Sequence, residues 1–206
     1  ASLVYEWWVR TFPQAEFKYV NAGIGGTTSQ FGVARAQDDL LDAEPDFVIA
    51  EFSVNDESTG HFEETYEGLV RKILSSKSHP ALMLVHNVCY NNGASAELVH
   101  SRIARHYNIP SVSMQSTLYK ALLNCRFDNR RITPDDLHPN DCGHELVSMV
   151  ITKRLEQIKN TVKAEYETAK SQRAAAQPDA GAAALLPEPL TANAYEDSVR
   201  YQNYNS

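Results

Sequence analysis

An aspartate stands three residues before a histidine in Pro134-Asp135-Asp136-Leu137-His138-Pro139-Asn140. An Asp that accepts an imidazole N–H fixes the ring's tautomer and leaves the other nitrogen free as a base. Pro139 disfavours a helical conformation at His138, so the ring can project from a loop. The same residues also fit a plain helix start with Asn140 or Asp141 as cap. Two more polar points sit at strand ends: the glycine-rich turn over residues 21–29 and the pair Asn55-Asp56. An exposed glycine N–H at Gly26 and the Asn55 amide are uncharged donors. Aimed at a developing oxyanion, each can stabilise an acyl-transfer transition state by roughly 3 kcal/mol. A tight turn at Gly26 and an Asx-turn at Asn55 are the ordinary alternatives.

The elements that must position these residues alternate in type. Leu3, Val4, Trp7, Trp8 and Phe12 recur at helical spacing over residues 1–12, and Pro13 ends the run. Residues 17–20, Phe-Lys-Tyr-Val, alternate and predict a strand, followed by the glycine turn and a helix to about residue 44. Residues 47–52 predict a second strand, apolar enough to be buried on both faces. Then come a helix over 64–75, a strand over 81–88, a helix over 94–107, a short strand over 111–114 and a helix over 117–123. A long helix follows His138, with Val147, Ile151, Leu155, Ile158 and Val162 on one face. Strands alternating with helices predict an α/β fold with a parallel sheet covered by helices. Residues 174–184 are alanine-rich with Gln, Pro and Gly, a linker-like composition. The expected division is therefore a domain over residues 1–165 and, over 166–206, a linker with a tail or the start of an accessory module.

The totals narrow the partners. The chain has 206 residues and a net charge of −7, which argues against nucleic acid or an anionic membrane and suits a neutral or weakly polar substrate. No apolar run is long enough to span a bilayer, and no signal-peptide pattern opens the chain. Cys89, Cys125 and Cys142 have no CxxC spacing and no disulfide pattern.

Taken in order, these residues resemble the SGNH hydrolases, the GDSL esterase/lipase superfamily. The resemblance is carried by Asn21-Ala22-Gly23-Ile24-Gly25-Gly26-Thr27-Thr28, by Asn55-Asp56, and by Asp135-x-x-His138-Pro139 with the trailing Gly143-His144. It covers residues 1 to about 160 and is nearest to bacterial carbohydrate-esterase-type members. It implies a flavodoxin-like sheet of order 2-1-3-4-5 and hydrolysis of carboxylic esters of small molecules or carbohydrates, including acetyl esters on carbohydrates, with no metal or organic cofactor. His138 would be the base, Asp135 its orienting carboxylate, and Gly26 and Asn55 the oxyanion donors. The family's first block, a strand ending in the nucleophilic serine, has no counterpart in this chain. Ser29, Ser53, Cys142 and Ser2 are the substitutes considered, and none is expected to meet the imidazole. The expectation is an inactive chain whose first central strand is missing, leaving unpaired strand edges open to self-association. His86, Asn87 and Tyr90, at the C-terminal edge of the strand over 81–88, are candidates for a substrate loop.

Two other readings stand beside this one. Strand, Gly23-Ile24-Gly25, helix, strand and Glu51 imitate a dinucleotide-binding unit, with Thr28 in place of its last glycine. A non-catalytic fragment or interaction module is the third reading. His138, Cys142 and His144 fit no standard zinc spacing, and His61, His79, His100 and His106 are expected on the surface.

Overall fold

The computed structural model describes residues 1–173, 186–193 and 195–200. Three parallel strands form its sheet: β1 (Phe47–Ala50), β2 (Ala81–His86) and β3 (Ser111–Ser113), in the order β1-β2-β3. Phe47 pairs with Ala81 and Leu84 with Ser111. Helices alternate with them: α1 (Ser2–Thr11), α2 (Ser29–Asp39), α3 (Gly60–Leu74), α4 (Glu97–His106), α5 (Lys120–Leu123) and α6 (Asp141–Arg173). The α/β class and the parallel sheet agree with the alternation in the sequence.

Strand pleating divides the core into two faces. Val48, Ala50, Leu82 and Leu84 point to one side, where Val33 of α2, Tyr66, Leu69 and Ile73 of α3, and Ile103 of α4 cover them. Met83, Val85 and Val112 point to the other, against Val4 of α1 and Ile151 and Leu155 of α6. β2 lies in the middle and is buried from Leu82 to His86, as its nearly unbroken apolar run requires. On α1, Trp8 stacks on Phe12 at 5.4 Å and tilts against Phe47 at 5.4 Å. Val162, counted on the apolar face of α6, is 56% exposed, because the helix runs past the body it packs on.

One expected strand does not form. Residues 17–20 carry no strand assignment, and no backbone hydrogen bond joins them to the sheet among the described residues. Their aromatic rings lean on α1 instead, Phe17 on Trp8 and Tyr19 on Tyr5. An alternating pattern cannot become a strand without a neighbour to share its ladder. The adjoining edge of β1 has no strand partner among the described residues, and Ile49 there is 37% exposed. The linker expected over residues 174–184 lies outside the described residues.

Residues 186–193 and 195–200 return to the helical face of α3. Glu67 of α3 is fully buried, and its carboxylate accepts the Leu190 N–H at 2.5 Å, the Thr191 N–H at 2.7 Å, the Thr191 hydroxyl and the Tyr107 hydroxyl at 2.5 Å. Arg71 donates to Glu196 and to the Pro187 carbonyl.

Candidate active site

The Asp135–His138 loop is built to hold one ring. Asp136 adopts a left-handed φ of 70°, which aspartate tolerates better than most residues. Arg130 at 3.1 Å and the Asn129 amide at 2.6 Å hold its carboxylate. That turn brings the Leu137 and His138 N–H groups back onto Asp135 Oδ1, at 3.1 and 2.8 Å. The second oxygen, Oδ2, meets His138 Nδ1 at 2.7 Å. The imidazole N–H, followed by the two backbone donors, holds the Asp135 carboxyl well below the usual carboxylate range. The dyad is exposed, and among the described residues the ring's Nε2 has no hydrogen-bond partner.

α6 closes the loop from below. Asn140 caps it, accepting the Gly143 N–H at 3.0 Å. Gly143 is required by close approach: a Cβ there would come within 2.2 Å of the Ile132 carbonyl oxygen. Asn140 and Asp141 thus do serve as a helix start, and the same helix start fixes His138.

At Gly26 the backbone is left-handed, φ 69°, with open space around the site of a Cβ, so the turn presents backbone rather than side chain. Asn55 reaches across and donates one amide hydrogen to the Thr27 carbonyl at 2.9 Å. A carboxamide has a second N–H, which this bond leaves for another acceptor. Next to it, Asp56 is buried and accepts the Ser29 N–H, the start of α2, at 2.8 Å. A carboxylate therefore occupies the N-terminus of α2, where a dinucleotide's pyrophosphate would have to sit.

The loops after β1 and β2 are tied together at the C-terminal end of the sheet. Ser53 Oγ donates to the Asn87 carbonyl at 2.9 Å, and the Ala96 N–H donates to the Ser53 carbonyl at 2.6 Å. The Tyr90 N–H donates to the Asp136 carbonyl at 2.6 Å, joining the loop of β2 to that of His138. This is the end at which parallel sheets carry their sites.

Other residues fall elsewhere than expected. His86 ends β2 rather than following it; it is 1% exposed, and neither ring nitrogen has a hydrogen-bond partner among the described residues. Burial, then the nearby His100, pushes its pKa down to about 4. Tyr90 is buried and donates to Asn87 Oδ1 at 3.0 Å. His86 and Tyr90 are thus buried at the end of the strand, and Asn87 between them is partly exposed. His100, expected on the surface, is fully buried, because it lies on the core side of α4 beside Ile103. Ser29 Oγ is bonded to Thr65 and Ser53 Oγ to Glu51, so both hydroxyls are committed. Cys142 is exposed. Among the described residues no hydroxyl or thiol hydrogen-bonds His138 Nε2, no group of three or more His, Cys, Asp or Glu side chains is placed to hold a metal, and no helix is long and apolar enough to cross a membrane.

Residues 3–146 match the model of the GDSL-like lipase/acylhydrolase family. The chain belongs to that family. It is also similar to a two-domain esterase (CEX) active on acetylated mannans, crystallised with mannopentaose, at 60% identity and a TM-score of 0.85. That similarity covers 100% of this chain and 50% of the other, so the chain spans half the length of that relative. The acetylxylan esterase Axe2 from Geobacillus stearothermophilus shares the fold, at 19% identity and a TM-score of 0.64 over 73% of this chain and 78% of that one. The thioesterase 1/protease 1/lysophospholipase L1 of Escherichia coli (strain K12) is 26% identical over 158 residues, 71% of each chain. The family match spans Gly26, Asn55, Asp135 and His138 in a single stretch. Asp56 lay inside a recognised motif without an assigned task, and His100 carried no sequence signal at all.

Proposed function

We propose that this chain supplies the base, its orienting carboxylate and the oxyanion donors of a serine ester hydrolase that removes acetyl groups from carbohydrates. The observation that carries the reading is the 2.7 Å bond from His138 Nδ1 to Asp135, with Nε2 unpartnered among the described residues. A base needs one nitrogen held and the other open. Gly26 N–H and the second amide hydrogen of Asn55 are the donors for the oxyanion. In this reading a serine from outside residues 1–206 attacks the ester carbonyl. His138 takes its proton and returns it to the departing alcohol; water then releases the acetate by the same route in reverse.

The nucleophile is assigned outside these residues because Ser29 and Ser53 are already bonded elsewhere. The edge of β1 that has no strand partner among the described residues, with Ile49 37% exposed, suits a strand that would carry it. The same edge would support self-association when that strand is absent. Acetylated carbohydrate is the chosen substrate class because the relative at 60% identity acts on acetylated mannans.

The test is acetate release from acetylated mannan and from p-nitrophenyl acetate. The natural protein is expected to hydrolyse both and to lose the activity in His138→Ala, while residues 1–206 alone give background rates. Hydrolysis by residues 1–206 that vanishes in His138→Ala would contradict the external nucleophile. Undiminished hydrolysis by the natural protein carrying His138→Ala would contradict the dyad.

A further inference from the structure

We propose that His100, which touches no substrate, is a positioning residue that sets the oxyanion donors through Asp56. The proposal rests on the hydrolase reading for what the donors do, but not for how they are held. His100 sits in α4 with its ring wholly out of solvent, and its Nε2 meets Asp56 Oδ2 at 3.1 Å. Tyr66 stacks on the ring at a centroid distance of 3.6 Å and an interplanar angle of 12°, so the imidazole has little room to turn. The other nitrogen, Nδ1, has no partner among the described residues. The ring's single polar engagement is therefore Asp56.

Asp56 passes this constraint to the mouth of the site in two directions. Its other oxygen, Oδ1, holds the Ser29 N–H at 2.8 Å, three residues after Gly26 in the chain. Its backbone neighbour is Asn55, whose amide is locked on the Thr27 carbonyl at 2.9 Å. One carboxylate thus fixes the end of the Gly26 turn and the root of the Asn55 side chain, and His100 fixes that carboxylate. Both side chains are out of solvent contact, so losing either partner leaves a buried polar group of the other unpaired. Oxyanion donors act by being fixed before charge develops, and small displacements are costly.

The experiment compares three substitutions. His100→Gln places an amide nitrogen the same number of bonds from Cβ as Nε2 and keeps the donor. His100→Asn is one methylene too short to reach, and His100→Leu has no donor. In NMR spectra of residues 1–206, Leu and Asn are expected to shift the Asn55 side-chain amide signals and to raise Ser29 amide exchange about tenfold or more. Signals from β2 and α6 should stay in place, and Gln should restore the parent spectrum. In the natural protein, Leu and Asn should lower kcat about 10- to 100-fold with KM within about twofold, and Gln should recover most of it.

An evenly spread rise in exchange over α3 and α4, with Asn55 signals unmoved, would mean that His100 only fills the core and would overturn the proposal. So would a Gln variant no better than Asn. If His100→Leu fails to fold, the Asn and Gln pair gives the same comparison. A natural protein without ester hydrolysis would remove the hydrolase reading while the NMR comparison still decides the role of His100.

Discussion

Both halves of the Asp135–His138 dyad face solvent, with side-chain exposures of 50% and 76%. An ion pair so placed adds little to stability, so substitutions there separate chemistry from folding. In His138→Ala the unfolding free energy from urea denaturation should stay within about 0.5 kcal/mol of the parent, while acetate release by the natural protein falls about 10⁴-fold. Asp135→Asn is the sharper probe. Its Oδ1 can still accept the Leu137 and His138 N–H groups, but an amide in place of Oδ2 faces Nδ1 with a donor. The ring must then carry its hydrogen on Nε2, where the base should be, and kcat should fall by about 10²–10⁴ with the loop intact. At this scale the sequence revealed much. Asp135 and His138 sit three apart, and the proline after them restricts one backbone. Asp56 and His100 did not show themselves, because a contact between residues 44 apart in the chain leaves no periodic trace in either segment.

At the scale of elements, the packing of α6 on the loop before it is the most constrained joint. Gly143→Ala sets a methyl against a backbone carbonyl at 2.2 Å, a contact that no rotamer can relieve. The helix must lift or Ile132 must move, and the expected loss is about 1–3 kcal/mol of stability. Chemical denaturation reads that loss, and the raised helix should also cut activity by displacing His138. A neutral effect would mean that α6 meets the loop less closely than described. The helices were legible because their apolar residues repeat at their own period whatever their neighbours do. The segment over residues 17–20 had the right alternation and formed no strand, since a strand is a property of two segments and only one was in view. The strand expected over residues 81–88 formed over Ala81–His86, though the His86 side chain was expected at an open edge, because imidazole is rarely buried without a partner.

For the whole molecule, acid stability follows from what is buried. The pKa of His86 lies at about 4 in the fold against about 6.5 in an unfolded chain. The unfolded state therefore binds the extra proton first, and stability falls as pH drops from about 6.5 towards 4. At pH 5 this amounts to about 2 kcal/mol. Glu51 works the other way, since burial raises its carboxyl and its contribution weakens as pH rises, so a variant isolates the effect better than the parent profile. His86→Leu replaces a ring with no partners by an apolar group of similar size. Its thermal midpoint should match or exceed the parent's at pH 7.5, and the gap should widen at pH 5. Equal pH dependence in both would refute the assignment.

The return of residues 186–193 and 195–200 onto α3 decides where this molecule can be cut. Four donors converge on the buried carboxylate of Glu67, three of them from Leu190 and Thr191. A gene designer guided by the long helix would place a stop codon near its end and strip those three away. The shortened product should melt at a lower temperature and should lose more of that stability at neutral pH than in acid, where Glu67 takes up a proton. A Glu67→Gln exchange in the shortened chain should recover part of the difference. What looks like an appendage in the linear text is, for folding, the last wall of the building.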